Sequence, residues 1–265
     1  MKPQLHANNL TLGYDRHIIT ENLNITLPEH QFSVIIGPNA CGKSTLLRAL
    51  CRLLKPHTGE VLLDGKNIHH LPTKMLARQL GLLPQHAIVP DNITVFDLVA
   101  RGRYPHQSLL RQWSHQDQEI VERSMAATHV AQLADRSVDA LSGGQRQRVW
   151  IAMVLAQQTP LLLLDEPTTW LDIAHQIELL DLFRELNQQH GHTLVAVLHD
   201  LNQACRYADH LIVMHNGQVV AAGKPAAIVN AELLKQVFGL SCLIIDDPVS
   251  HTPLIVPYGK GYQAP

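Results

Sequence analysis

The chain has 265 residues, 46% of them hydrophobic and 17% charged, with a formal net charge of −2. That length buries one large core, or a core with an inserted lobe, and the near-neutral charge argues against a broad electrostatic footprint for nucleic acid. No apolar run approaches the roughly 18 residues a membrane span needs, residues 1–30 lack the basic start and apolar stretch of a secretion signal, and the four cysteines form no Cys-x-x-Cys pair, so free thiols in a reducing cytosol are expected.

Residues 5–27 alternate apolar and polar side chains and are expected to form antiparallel strands. Phe32-Ser-Val-Ile-Ile36 is a nearly continuous apolar run, the pattern of a strand buried on both faces of a parallel sheet. It feeds into Gly37, Pro38, Asn39, Ala40, Cys41, Gly42, Lys43 and Ser44, which fit the phosphate-loop pattern G-x-x-x-x-G-K-[ST]. Helical periodicity follows over 45–54, ended by Pro56 and Gly59. Residues 60–64 and 80–83 read as strands. From about 87 to 158 the strand signal fades, and helical patterns over 93–101, 116–125 and 145–157 predict an inserted, mostly helical lobe. Buried-strand character returns at 161–164 and 194–198, with a helix over 177–188 between them. Residues 211–214 and 218–222 flank Asn216-Gly217, a strong hairpin signal, and 242–257 add a second hairpin. The 17 histidines are scattered and read as solvated surface, since no helical i, i+4 pair with a third ligand is visible.

Three places carry chemistry. A phosphate loop between strand and helix wraps phosphates with backbone N–H groups, and the helix N-terminus faces the same anion. Lys43 then reaches the β- and γ-phosphates and the Ser44 hydroxyl binds Mg2+. Leu161-Leu-Leu-Leu-Asp-Glu166 is a buried strand tipped with two acids. Beside a phosphate loop, Asp165 holds Mg2+ through water, and Glu166 orients or deprotonates the attacking water. His199 follows the apolar strand at 194–198 and can sense a γ-phosphate by hydrogen bonding; a packed structural histidine is the alternative.

With Leu141, Ser142, Gly143, Gly144 and Gln145, these motifs stand in an order that resembles the ATP-binding cassette ATPases, over essentially residues 3–240. The resemblance implies an α/β phosphate-loop NTPase fold: a mixed sheet core with N-terminal antiparallel strands and an inserted helical subdomain. It divides 1–240 into a core (1–86 and 159–240) and a helical part (about 87–158), with a tail over 241–265. It implies that Tyr14 stacks on adenine, that Thr45 joins residues 37–44 in binding nucleotide, and that Gln85 contacts Mg2+ and the attacking water. Asp172 touches the opposite subunit, and His199 becomes a switch. Residues 141–145 contact ATP held by the other copy of a head-to-tail dimer, the two glycines letting backbone approach phosphate.

The finer resemblance is to ATPases of iron–siderophore importers, on Thr168-Thr-Trp-Leu-Asp172, Val197-Leu-His-Asp-Leu-Asn-Gln-Ala204 and Arg206-Tyr-Ala-Asp-His-Leu211. It implies an ATP-hydrolysing subunit, peripheral on the cytoplasmic face of the bacterial inner membrane. That subunit would energise two permease subunits, which receive an iron(III)–siderophore from an extracytoplasmic binding protein. A vitamin B12 or haem importer is the alternative cargo class; a soluble repair or translation cassette would need paired cassettes or long coiled-coil insertions. Arg101-Gly-Arg-Tyr-Pro-His106 lies where the family docks its membrane subunit, against the plainer reading of a solvated basic loop. Two residues depart from the family pattern: Ala40 replaces the usual Gly, costing about 1 kcal/mol if its φ is positive, and Cys41 replaces Ser. A helix N-terminus lowers thiol pKa, so Cys41 is expected to make activity oxidation-sensitive.

Overall fold

The computed structural model describes residues 5–85, 91–108 and 113–259. The chain forms two compact units, Met1–His70 with Thr193–Pro265, and Leu71–His192. The expected onset of the helical lobe near 87, the core boundary at 86 and the last tail residues lie outside the described residues.

The first unit opens with β1 (Leu5–Tyr14), β2 (His17–Leu27), β3 (Phe32–Ile36), α1 (Lys43–Leu50), β4 (Thr58–Leu63) and the short β5 (Lys66–Asn67). The antiparallel sheet has the order β2-β1-β4-β5, as the alternation predicted. α1 ends earlier than its periodicity suggests. Arg52 sits at φ 65, and the amides of Leu53 and Leu54 both return to the Arg48 carbonyl, at 2.8 and 3.1 Å. That closes the helix before Pro56 is reached.

The second unit contains α2 (Thr73–Ala77), β6 (Leu80–Leu83), α3 (Val95–Ala100), a 3-10 segment (Arg101–His106), α4 (His115–Ala127), α5 (Gly143–Ala156), β7 (Leu161–Asp165) and α6 (Ile173–His190). Val95, Leu98, Val99, Ile120, Val121, Val149 and Ala152 form the core between α3, α4 and α5. β6 and β7 pair in parallel, Leu80 opposite Leu161 through Leu83 opposite Leu164. α6 extends beyond its predicted span at both ends: Asp172 accepts from the His175 amide at its start, and Gly191 at φ 66 terminates it.

The chain then returns to the first unit with β8 (Thr193–Val197), α7 (Leu201–Tyr207), β9 (His210–His215), β10 (Gln218–Gly223), α8 (Pro225–Ile228), α9 (Ala231–Phe238), β11 (Cys242–Asp246) and β12 (Pro253–Pro257). β3 pairs in parallel with both β8 and β9, and every residue of β3 and β8 is buried. This explains their unbroken apolar runs. Asn216 (φ 47) and Gly217 (φ 75) make the turn between β9 and β10. β11 and β12 pair as the tail hairpin, which is tied to α7 through both backbone groups of one residue: Asn202 Oδ1 accepts from the Ile255 amide at 2.7 Å and its Nδ2 donates to the Ile255 carbonyl at 3.2 Å.

Candidate functional site

In the first unit, β3 delivers the chain to Gly37 with no room for a side chain. A Cβ there would stand 2.3 Å from the Met214 carbonyl oxygen and 2.7 Å from Cys41 Sγ. Gly42 precedes α1 at φ 104, a conformation that favours glycine. Between them Ala40 takes φ 61, so the alanine carries the left-handed strain anticipated for it. Lys43 is 6% exposed, and its Nζ donates to the carbonyls of Gly37 at 2.8 Å and Pro38 at 2.9 Å. The ammonium is thus held inside the curl of the loop, at the N-terminal end of an eight-residue helix. Asn39 and Ala40 are exposed, Ser44 half-buried and Thr45 buried.

The turn after β9 supports this loop, a role that sequence reasoning missed. Gly217 donates its amide to the Cys41 carbonyl at 3.1 Å, and a Cβ on Gly217 would lie 2.0 Å from the Ile19 carbonyl oxygen. The Asn-Gly dipeptide signalled the hairpin but not its contact with Cys41, 176 positions before Gly217. Cys41 is buried. Burial pushes its thiol up, against a smaller opposing pull from Lys43. The expectation of an activated thiol is therefore corrected: desolvation outweighs the helix N-terminus. Tyr14 is exposed at the end of β1, and its hydroxyl accepts from Arg48 Nη1 at 3.3 Å, which holds it beside α1. His199 is exposed just beyond β8, and the next residue, Asp200, caps α7 by accepting from the Gln203 amide.

In the second unit β7 ends at Asp165, which is 5% exposed. Glu166 follows at φ 51, a left-handed conformation costly for a non-glycine residue. Its Oε2 accepts from Gln85 Nε2 at 2.6 Å, so residues 81 positions apart meet side chain to side chain. The Glu166 carbonyl also accepts from the Thr169 amide at 3.2 Å.

Ser142 is the N-cap of α5 in a reciprocal capping box. Its Oγ accepts from the Gln145 amide at 3.3 Å, and Gln145 Oε1 accepts from the Ser142 amide at 3.1 Å. The bond uses a lone pair of the hydroxyl and leaves its proton to donate outward. Leu141 is buried in the helical core, whereas Ser142 and Gly143 are exposed. Cβ atoms on Gly143 and Gly144 would lie 3.7 Å from Trp170 Cβ and 3.3 Å from Leu171 Cδ2, so the 170–172 segment packs beside these glycines. Asp172 is exposed, and its Oδ1 accepts from both the His175 amide (2.9 Å) and His175 Nδ1 (2.8 Å). Those bonds, the backbone one first, hold its carboxyl below the usual range. Trp170 and Ile173 beside it are 70% and 77% exposed.

The segment 101–106 is not a solvated basic loop. Arg103 is 5% exposed and Gly102 and Pro105 are buried; only Arg101 and Tyr104 face solvent. The neutralising partner, Asp117, lies 14 positions on, out of reach of local pattern reading.

A family model described as "ABC transporter" matches residues 20–169. The chain belongs to the ABC transporter family. It is 59% identical over 257 residues to the ferric enterobactin transport ATP-binding protein FepC of Escherichia coli K12, covering 97% of this chain and 95% of that one. Among solved structures it is similar to a metal-chelate type ABC transporter in an inward-facing conformation (TM-score 0.82, 29% identity, 98% of this chain and 99% of that one). It is also similar to the dimeric post-hydrolysis ATP-binding cassette MJ0796 bound to ADP and Pi (TM-score 0.75, 28% identity, 83% of this chain and 98% of that one). The α/β fold with its mixed sheets and helical cluster is that of an ABC ATPase cassette. No helix among the described residues is long and apolar enough to cross a membrane.

Proposed function

We propose that this chain is the ATP-hydrolysing subunit of an importer for an iron(III)–siderophore complex. It works as a head-to-tail dimer on the cytoplasmic face of the membrane, beneath two permease subunits fed by an extracytoplasmic binding protein. The observation that carries the ATPase reading is the buried Lys43 ammonium inside the glycine-bounded loop. Its two carbonyl partners are weak acceptors beside a polyphosphate, so the ammonium transfers to the β- and γ-phosphates at small cost. The cargo reading rests on 59% identity along nearly the whole chain to a ferric enterobactin transport ATP-binding protein.

The residues then divide the work. Residues 37–45 grip the phosphates, and Tyr14 offers its ring to adenine. Ser44, Asp165 and Gln85 supply a hydroxyl, a carboxylate and an amide. Such hard oxygen donors suit Mg2+, which keeps waters and phosphate oxygens rather than demanding an all-protein cage. Bound there, Mg2+ would neutralise charge on the β- and γ-phosphates. Glu166 takes the proton of the attacking water, with Gln85 fixing its carboxylate, and His199 reads the γ-phosphate. Ser142, Gly143 and Gly144 bind the nucleotide of the other copy, with Leu141 and Gln145 setting the helix start, while Asp172 shapes the segment that faces that copy.

Uptake of a radiolabelled ferric siderophore tests the reading. A strain lacking the chain should regain uptake with the wild type and not with Lys43→Ala. Restoration of vitamin B12 or haem uptake alone would overturn the cargo assignment.

A further inference from the structure

Arg101–His106 makes more directed bonds than a surface turn of six residues needs, and they converge on the C-terminal end of α5. Arg103 Nη1 donates to the Ala156 carbonyl at 2.7 Å and to Gln158 Oε1 at 3.1 Å. His106 Nε2 lies 2.8 Å from the Gln157 carbonyl. A Cβ on Gly102 would stand 2.2 Å from the Met153 carbonyl oxygen, so backbone meets backbone at that point. The last carbonyls of a helix lack intrahelical partners and form the negative end of its dipole. Arg103 therefore caps α5 from another segment.

The cap is itself fixed. Arg103 Nε donates to Asp117 Oδ1 at 2.9 Å, with both side chains buried. The Ser114 hydroxyl donates to Asp117 Oδ2 at 2.6 Å and the Ser114 amide to the same oxygen at 3.1 Å. The Asp117 carboxyl feels burial pushing it up, and the bonds from Ser114 and Arg103 override this to hold it below the usual range. The outer side of the segment is different in character. Tyr104 is 64% exposed, with the Lys74 ammonium 4.7 Å from its ring centroid. Arg78 Nε and Lys74 Nζ donate to the carbonyls of Pro105 (2.8 Å) and Gln107 (3.0 Å). One face is thus locked to α5 while the other presents an aromatic ring to solvent.

The opposite end of α5 begins at Gly143 under the Ser142 cap. A helix of 14 residues is about 21 Å long, and a single continuous element therefore joins the 101–106 segment to Ser142–Gly144. We propose that Arg103 is a positioning residue that locks Arg101–His106 to the C-terminus of α5, so that a push on the Tyr104 face by the permease is delivered to Ser142, Gly143 and Gly144 as a rigid movement of α5. The inference rests on the reading that the chain works beneath a permease. Packed rigid elements of this kind carry coupling between sites. A lysine cannot replace the arginine, because only the planar fork serves the carboxylate and the helix carbonyl together.

Removing one partner of a buried ion pair leaves an uncompensated charge, so the test uses the neutral pair Arg103→Gln with Asp117→Asn. The milder His106→Ala serves as a second variant should the pair fail to fold. The readouts are ATPase of the isolated chain, ATPase of the reconstituted permease complex, and amide hydrogen exchange of residues 143–146 with and without permease. The expected result is isolated-chain activity and KM for ATP within about twofold of wild type, with permease-dependent stimulation reduced by about fivefold or more. The exchange change at 143–146 on adding permease should vanish, while protection at 101–106 persists. Arg103→Lys should rescue neither. Wild-type stimulation together with a wild-type exchange response at 143–146 in the folded variant overturns the inference. Absence of any permease stimulation in the wild type instead overturns the transporter reading on which it depends.

Discussion

Ala40 is the residue where physics and family pattern disagree most openly. At φ 61 an alanine pays about 1–2 kcal/mol for its Cβ, whereas glycine pays nothing there but loses more freedom on folding. The balance favours glycine, so Ala40→Gly should raise stability by about 0.5–1 kcal/mol. Urea denaturation checks it, with a midpoint that moves upward; an unchanged or lowered midpoint would show that the loop relaxes around the alanine. Cys41, next to it, shows how a residue-level rule fails. Helix-end position argues for a lowered thiol pKa, but burial comes first and pushes the thiol up. The phosphate-loop string was legible because its chemistry is local: eight consecutive residues set the bends and place the lysine. Cys41 is buried in the folded chain, where distant Gly217 donates to its carbonyl, and no local pattern contains such contacts.

At the scale of elements, the buried strands were the most legible, because β3, β7 and β8 have every residue buried and show it as unbroken apolar runs. Helix ends were less so. α1 closes at Leu50 because of the backbone of Arg52, a conformation that arginine does not advertise. The sequence leaves 101–106 as a docking stretch or a basic loop; the burial of Arg103 is invisible there because its partners are Asp117 of α4, Ala156 at the end of α5 and Gln158 just beyond it. The tail hairpin was visible as a pair of strands, but its attachment was not, since Asn202 and Ile255 are 53 positions apart. That attachment makes a prediction. Asn202→Ala removes both bonds to Ile255, leaving the edge of β12 without them, and should raise hydrogen exchange at the Ile255 amide by about tenfold or more. The exchange of β3 should stay slow. Equal protection at Ile255 in the variant would mean that side-chain packing alone holds the hairpin against α7.

For the whole molecule, the central claim is that the phosphate loop of one copy and Ser142–Gly144 of another complete a single ATP site. The capping geometry supports it: Ser142 spends a lone pair on the Gln145 amide and keeps its proton for an anion, and α5 presents its N-terminus there. Each charge-assisted bond to phosphate contributes about 1.5–3 kcal/mol, so a few of them from each copy are enough to hold two chains together while ATP lasts. Hydrolysis removes that bridge, a ligand-driven shift between closed and open populations. On the proposed role of Glu166 as the base for the attacking water, Glu166→Gln should slow hydrolysis by about 10²-fold or more and should therefore arrest the closed state. The most direct measurement is analytical ultracentrifugation of Glu166→Gln with and without Mg·ATP, beside the same protein carrying Ser142→Arg. The account predicts an ATP-dependent dimer for Glu166→Gln and a monomer that still binds ATP for the double variant. An ATP-dependent dimer of equal strength in the Ser142→Arg protein would contradict it.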